Sequence, residues 1–287
     1  MAVYTGKGVA FTGLYDLSSP SPTKPRYSPT CQTKHPSQDA ARLVNVQMAN
    51  GTDGYLYIWG TEGGANDNHS PVYLARMLAS KIATGKGIAY WDHGSFVAGK
   101  HRGTQPNATP LFTDSPDPCV AQLGIQHNPY LNEWIMLYRC NEADPPAGLP
   151  NGIYMRTAPN PWGPWSSPTT IFNPAPDPAT RSGFCYFIYS KETKANPDGS
   201  PKCPDPVFDQ KSLAGEHHRQ GGYYGPYFVA NWTTGTHATA STRASTTIYY
   251  TLDTFDPYGQ LIMRSTILGP PLPSRPTVPP CKGTTCT

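Results

Sequence analysis

Charge is scarce in this sequence: only 14% of residues are Asp, Glu, Lys or Arg, and the formal net charge is +3. So dilute a charge leaves no concentrated basic field, which argues against a nucleic-acid backbone as partner. Long apolar runs are absent too. None approaches the roughly 20 residues a bilayer-spanning helix needs, so no membrane span is expected. The opening residues, MAVYTGKGVAF, lack the basic segment and apolar core of a secretory leader. No Cys-x-x-Cys pair, zincin helix, Walker loop, nucleophile elbow or dinucleotide fingerprint occurs. Neither a cofactor nor a metal ion is therefore expected. His217-His218 beside Glu216 would point to opposite faces of an extended segment, and reads as a solvated loop.

What is abundant is turn formers and aromatics. The 33 prolines and 27 glycines are too many for long helices, while 18 tyrosines and 6 tryptophans suit half-buried strands and sugar-stacking surfaces. At 287 residues the chain can form one large β domain, and a second domain is not required. Asn50-Gly-Thr52, Asn68-His-Ser70, Asn107-Ala-Thr109 and Asn231-Trp-Thr233 are glycosylation acceptors by pattern. With seven cysteines outside any metal-type spacing, they point to an oxidising, secreted setting.

Three stretches share a grammar. DGYLYIWG (53–60) precedes PVYLARML (71–78), NEWIMLYRC (132–140) precedes NGIYMRTA (151–158), and TTIYYTLD (246–253) precedes GQLIMRST (259–266). Each second run carries an apolar residue followed by arginine: Ala75-Arg76, Met155-Arg156, Met263-Arg264. This is the signature of a propeller blade in its inner and middle strands, since such short strands bury little alone and must pack face to face with a neighbouring unit. The expected fold is all-β and five-bladed-propeller-like, incomplete, with about three complete blades plus part of another; a generic β-sandwich is the competing architecture. The propeller would occupy 1–268, interrupted by an insertion at 173–222, and a Pro-rich tail would follow at 269–287.

The cysteines divide by position. Cys119 and Cys140 bound a hairpin turning at Pro129-Tyr130; pairing His127 with Asn132 carries Cys119 opposite Cys140, which predicts a cross-strand disulfide. Cys185 and Cys203 bracket a polar loop inside the insertion and would staple it, Cys281 and Cys286 would pair locally, and Cys31 is left over.

Glycoside hydrolysis generally needs two carboxylates flanking the scissile bond. The candidates are Asp16, Asp39, Glu62, Asp67, Asp92, Asp253 and Asp256, the last two reading as turn residues around Phe255. A propeller gathers its site at one mouth of the channel, so the innermost strands matter most; they are expected at about 40–48, 119–126 and 223–230. Asp39 begins the first and Gln122 lies on the second. Tyr223, Tyr224 and Tyr227 occupy the third, where each could stack on a sugar or serve the core.

The segments YGPYFVANWT, TTIYYTLDTFDPYGQLIMRST, HNPYLNEWIMLY and GIYMRTAPNPWGPWSSP together resemble a five-bladed propeller family long classed as a domain of unknown function, whose members include endo-D-arabinanases acting on bacterial cell-wall D-arabinan. The resemblance spans roughly residues 1–268. It implies a carbohydrate-active protein whose partner is a polysaccharide of arabinan type, with Asp39, Gln122, Tyr223, Tyr224 and Tyr227 shaping the sugar site. Two departures stand out. The family's first blade has no counterpart, so its catalytic carboxylates are expected upstream of Met1 and the catalytic residues in this chain stay unassigned. Where relatives tend to carry Gly-Glu, this chain has Ala121-Gln122, and an amide cannot shuttle a proton. Two functions therefore stand: a glycoside hydrolase, inactive as given for want of the first blade, and a non-catalytic carbohydrate-binding propeller.

Overall fold

A computed structural model describes residues 2–4, 9–11, 42–43, 45–62, 70–98, 108–113, 118–140, 146–150, 152–174, 223–254 and 259–271. The described residues form β-strands joined by turns, with 3₁₀ turns at Ala79–Lys81 and Ala230–Trp232 and no α-helix among them. A hairpin of β1 (Ala2–Tyr4) and β2 (Val9–Phe11) comes first. The first large sheet is an antiparallel meander of β3 (Asn45–Asn50), β4 (Tyr55–Thr61), β5 (Tyr73–Leu78), β6 (Ala89–Asp92) and β7 (Ser95–Ala98). The second runs in the same up-and-down order through β8 (Val120–Asn128), β9 (Glu133–Cys140), β10 (Ile153–Ala158) and β11 (Thr169–Phe172). In the third, β12 (Tyr223–Tyr224) and β13 (Thr234–Thr236) pair with opposite ends of the long β14 (Ser245–Thr254), whose other edge holds β15 (Gly259–Leu268). β12 and β13 are thus two pieces of one strand position, broken by the Ala230–Trp232 turn. Each of the three recurring sequence pairs is a hairpin of its sheet: β4 with β5, β9 with β10, and β14 with β15.

The period-two geometry of a strand explains why β9 reads as an unbroken apolar run. Its Trp134, Met136 and Tyr138 face the first sheet, where they meet Tyr57, Trp59 and Leu74; Ile135 and Leu137 face the third, where they meet Ile248, Tyr250 and Leu252. All eleven side chains are buried. Behind the first sheet, Leu56, Ile58, Ala75 and Met77 close a further layer with Leu43 and Ala108. Trp59 also donates its Nε1 hydrogen to the carbonyl of Pro161 at 3.1 Å. The next residue, Trp162, stacks on Trp91 at 5.7 Å with an interplanar angle of 18°. The Pro161-Trp162 pair after β10 therefore clasps the second sheet to β4 and β6 of the first.

The first strands of successive sheets lie side by side. Asn45 on β3 donates its amide to Ala121 O on β8 at 2.9 Å. On the other flank of β8, a Cβ at Gly124 would strike the backbone of Pro226 and Tyr227. Glycine is required there for close approach, not for an unusual backbone angle. Three sheets that pack in sequence with their first strands adjacent make a propeller-like, all-β arrangement rather than a two-layer sandwich.

The Cys119–Cys140 disulfide is present, with a Cα–Cα distance of 4.6 Å. Its hairpin register differs from the expected one: His127 lies opposite Trp134, not Asn132. The turn spans 129–132 and so is wider than the Pro129-Tyr130 reading, because Asn128 Oδ1 accepts the N–H groups of Tyr130 and Leu131, each at 3.1 Å, and Asn132 adopts a left-handed φ of 53°. An irregularity between Val120 and Gln122 then slips the pairing so that Val120 faces Cys140. Cys119 is thereby left one residue beyond, still within reach of a bridge. The proposed bridges Cys185–Cys203 and Cys281–Cys286, with Cys31, lie outside the described residues.

Candidate functional site

The starts of β3, β8 and β12 lie together, linked by the Asn45–Ala121 and Gln122–Gly225 bonds. Gln122 is buried, its Oε1 accepting the Gly225 N–H at 2.6 Å across the boundary between the second and third sheets. With the carbonyl so engaged, the amide NH₂ is the hydrogen-bond donor of Gln122. Opposite Gln122 on β9 sits Arg139, itself buried, with its guanidinium 5.4 Å from the centroid of the Tyr223 ring.

The three tyrosines take different roles. Tyr223 belongs to the core: it is buried and meets Phe172 edge-on at 5.7 Å. Tyr224 and Tyr227 are half-buried. Tyr224 lies directly opposite Asp253 in the β12–β14 ladder. Gly225, at a φ of +66°, turns the chain so tightly against the Asp253 carboxylate that a side chain there would collide with it. Burial raises the pKa of the Tyr227 phenol, and the negative charge of Asp253 and the proximity of Tyr224 raise it further. Tyr227 is therefore held as a neutral hydroxyl that can donate. Asp253 Oδ1 in turn accepts from Gln260 Nε2 at 2.9 Å.

Beside the start of β3, Glu62 follows Thr61, which pairs with Asn45. Glu62 forms an ion pair with Arg42 and accepts the hydroxyl of Tyr73, while its backbone N–H reaches Ser70 Oγ at 2.8 Å. Arg42 also lies over the Tyr73 ring, 4.7 Å from its centroid. Burial raises the Tyr73 pKa, an effect partly offset by the Arg42 charge.

Of the seven candidate carboxylates, Glu62 lies beside the start of β3 and Asp253 beside β12. Asp92 lies on the outer β6–β7 hairpin beside exposed His93, whose Nδ1 is 2.5 Å from its carboxylate. Asp16, Asp39, Asp67 and Asp256 lie outside the described residues, as do His217 and His218. Asp253 is a strand residue rather than a turn residue, because β14 continues to Thr254. The alternation of TTIYYTLDT carries the signal: it sets Asp253 on the face of Tyr249 and Thr251, away from buried Ile248, Tyr250 and Leu252. Arg42, Asn45 and Arg139 were not picked out from the sequence, since their importance arises from contacts distant in sequence: between sheets for Asn45 and Arg139, within the first sheet for Arg42. Among the described residues, no group of three or more His, Cys, Asp or Glu side chains is placed to hold a metal ion, and no helix is long and apolar enough to cross a membrane.

The family model for Domain of unknown function (DUF4185) matches residues 20–264. The chain belongs to this family. No curated protein matches the DUF4185 chain. Among solved structures, it is similar to an exo-β-1,3-galactanase from Phanerochaete chrysosporium determined with β-1,3-galactotriose, at 10% identity and a TM-score of 0.31. The match covers 79% of the DUF4185 chain and 39% of the galactanase, so this chain spans well under half the length of that enzyme.

Proposed function

We propose that this DUF4185 domain is a secreted carbohydrate-active propeller of the glycoside-hydrolase type, acting on arabinan-like furanoside polysaccharide. The observation that carries the reading is the convergence of Gln122, Tyr224, Tyr227 and Asp253 where the inner strands begin. A buried amide, a neutral phenol and a carboxylate offer both donors and an acceptor to a polyol, and the half-buried tyrosines offer ring faces. Asp39 joins the proposal from sequence alone, by its place shortly before β3. The Cys119–Cys140 bridge supports secretion, because such bonds persist in oxidising compartments.

Cleavage would require one carboxylic acid to protonate the departing glycosidic oxygen while a carboxylate activates water or attacks the anomeric carbon. Gln122 can do neither. Glu62 is committed to Arg42 and Tyr73, and Asp253 accepts from Gln260. These engagements favour the second reading, a non-catalytic carbohydrate-binding propeller, for the chain by itself.

Affinity electrophoresis through gels containing D-arabinan, with chromatography of released oligosaccharides, separates the two. The expected result is retention with little or no release. Tyr227→Phe should weaken retention roughly 5–10-fold, the equivalent of one lost hydrogen bond of about 1 kcal/mol. Asp253→Asn should weaken it comparably. Migration unaffected by arabinan, or retention unchanged in both variants, would refute the site; rapid release of oligosaccharide would show that the chain holds its own acid and base.

A further inference from the structure

We infer that Asn231 carries an N-linked glycan and that the core sugars of this glycan lie over Trp232; the inference rests on the reading of the chain as secreted. Asn68 and Asn107 lie outside the described residues, while Asn50 and Asn231 are both exposed. The two differ in what the fold explains. Asn50-Gly51 closes the β3–β4 hairpin, where Gly51 N–H bonds to Tyr55 O at 2.8 Å and a Cβ at Gly51 would come within 2.7 Å of the Tyr57 ring. Close packing accounts for the glycine that follows Asn50.

Asn231-Trp232-Thr233 has no such account. It lies on the 3₁₀ turn Ala230–Trp232, which carries no side-chain cap and buries none of its residues. Trp232 is 53% exposed, an unusual state for the largest apolar side chain. Its ring meets Tyr249 edge-on at 5.8 Å and 83°. Tyr249 belongs to the face of β14 turned away from the second sheet, and the adjoining stretch from Thr234 to Thr242 is exposed throughout. An exposed indole beside an acceptor asparagine, with open space around both, fits an N-acetylhexosamine whose apolar ring face stacks on the indole while its hydroxyls stay in water.

In the transfer, Asn231 Nδ2 bonds to the anomeric carbon of an oligosaccharide supplied as a lipid diphosphate. The anomeric carbon–oxygen bond to phosphate breaks, the lipid diphosphate departs, and the amide proton passes to the transferase. The Thr233 hydroxyl that the transferase must read is, in the folded protein, an acceptor for Gln126 Nε2 at 3.1 Å. Transfer therefore belongs to the nascent chain, before the third sheet closes on the second.

The test uses the full chain expressed behind a secretory leader in a yeast host. Peptide mapping after peptide-N-glycosidase should find aspartate at position 231 in most molecules, and N231Q should lose the corresponding mobility shift. Native deglycosylation should raise the iodide quenching of tryptophan fluorescence, and W232F should abolish that rise. An unmodified Asn231 in secreted protein whose Cys119–Cys140 bridge has formed overturns the inference. Quenching indifferent to glycan removal overturns the stacking. Recovery of Cys119 and Cys140 as free thiols would instead defeat the secretion reading, and this inference with it. Arabinan retention is scored separately on the same protein, so failure of the sugar site is distinguishable from either.

Discussion

Replacing Gly124 with alanine puts one methyl group where β8 touches the backbone of Pro226 and Tyr227. The added Cβ would sit 3.1 Å from Tyr227 Cα and closer still to the Pro226 carbonyl oxygen, so the obstruction is main chain and cannot rotate aside. Relief requires the third sheet to back away from the second. Overpacking of this kind destabilises by about 1–3 kcal/mol. The retreat also lengthens the 2.6 Å bond from Gly225 N–H to buried Gln122, and an unsatisfied buried amide adds roughly 1 kcal/mol. The sum, about 2–4 kcal/mol, corresponds to a drop in Tm of roughly 5–12 °C for a domain of this size. Differential scanning calorimetry measures it directly, and retention on arabinan should fall in the same variant because Tyr227 moves with the displaced segment. A Tm within about 1 °C of the parent, with retention intact, would refute the adjacency of the inner strands.

Two further outcomes are expected. Replacing Cys119 and Cys140 together by alanine releases a crosslink across a sequence separation of 21, which should lower the unfolding free energy by about 3 kcal/mol; equal urea midpoints with and without reductant in the parent would contradict this. Burial lowers the pKa of His127 below its usual 6.5, so below that pH the unfolded chain binds a proton that the native one declines. This contribution to stability is fully present above pH 6.5 and fades as pH falls through the depressed native value. H127Q should flatten that part of the profile, and parallel curves for variant and parent between about pH 5 and 7 would count against it.

Strand pairs within a sheet were legible because local pattern decides them. DGYLYIWG and PVYLARML announce β4 and β5 by composition and spacing, and the same holds for β9 with β10 and β14 with β15. The Cys119–Cys140 bridge was legible too, although the register that suggested it was displaced by the Asn128-capped turn and the irregularity at Val120. What lay beyond the sequence is anything decided between sheets. Gln122 could be placed on an inner strand, but not its bond to Gly225, which spans a separation of 103 residues. Tyr223 and Tyr224 are neighbours with the same composition signal, yet one packs under Arg139 and the other faces Asp253. The repeated arginine shows the same limit: Arg76 and Arg156 lie over the rings of Phe96 and Phe112, whereas Arg264 stands exposed opposite Tyr249.

The contact at Gly124 has a bearing on how such a protein could diversify. Where neighbouring inner strands meet main chain to main chain, the spacing at that point is a property of the polypeptide itself and not of any replaceable group. On the proposed reading, changes to side chains near this contact would alter which hydroxyls are recognised, whereas the spacing itself yields only to a change of the glycine, at a cost in stability. A relative selecting a bulkier ligand would have to acquire it by lengthening the connections that rise above the hub.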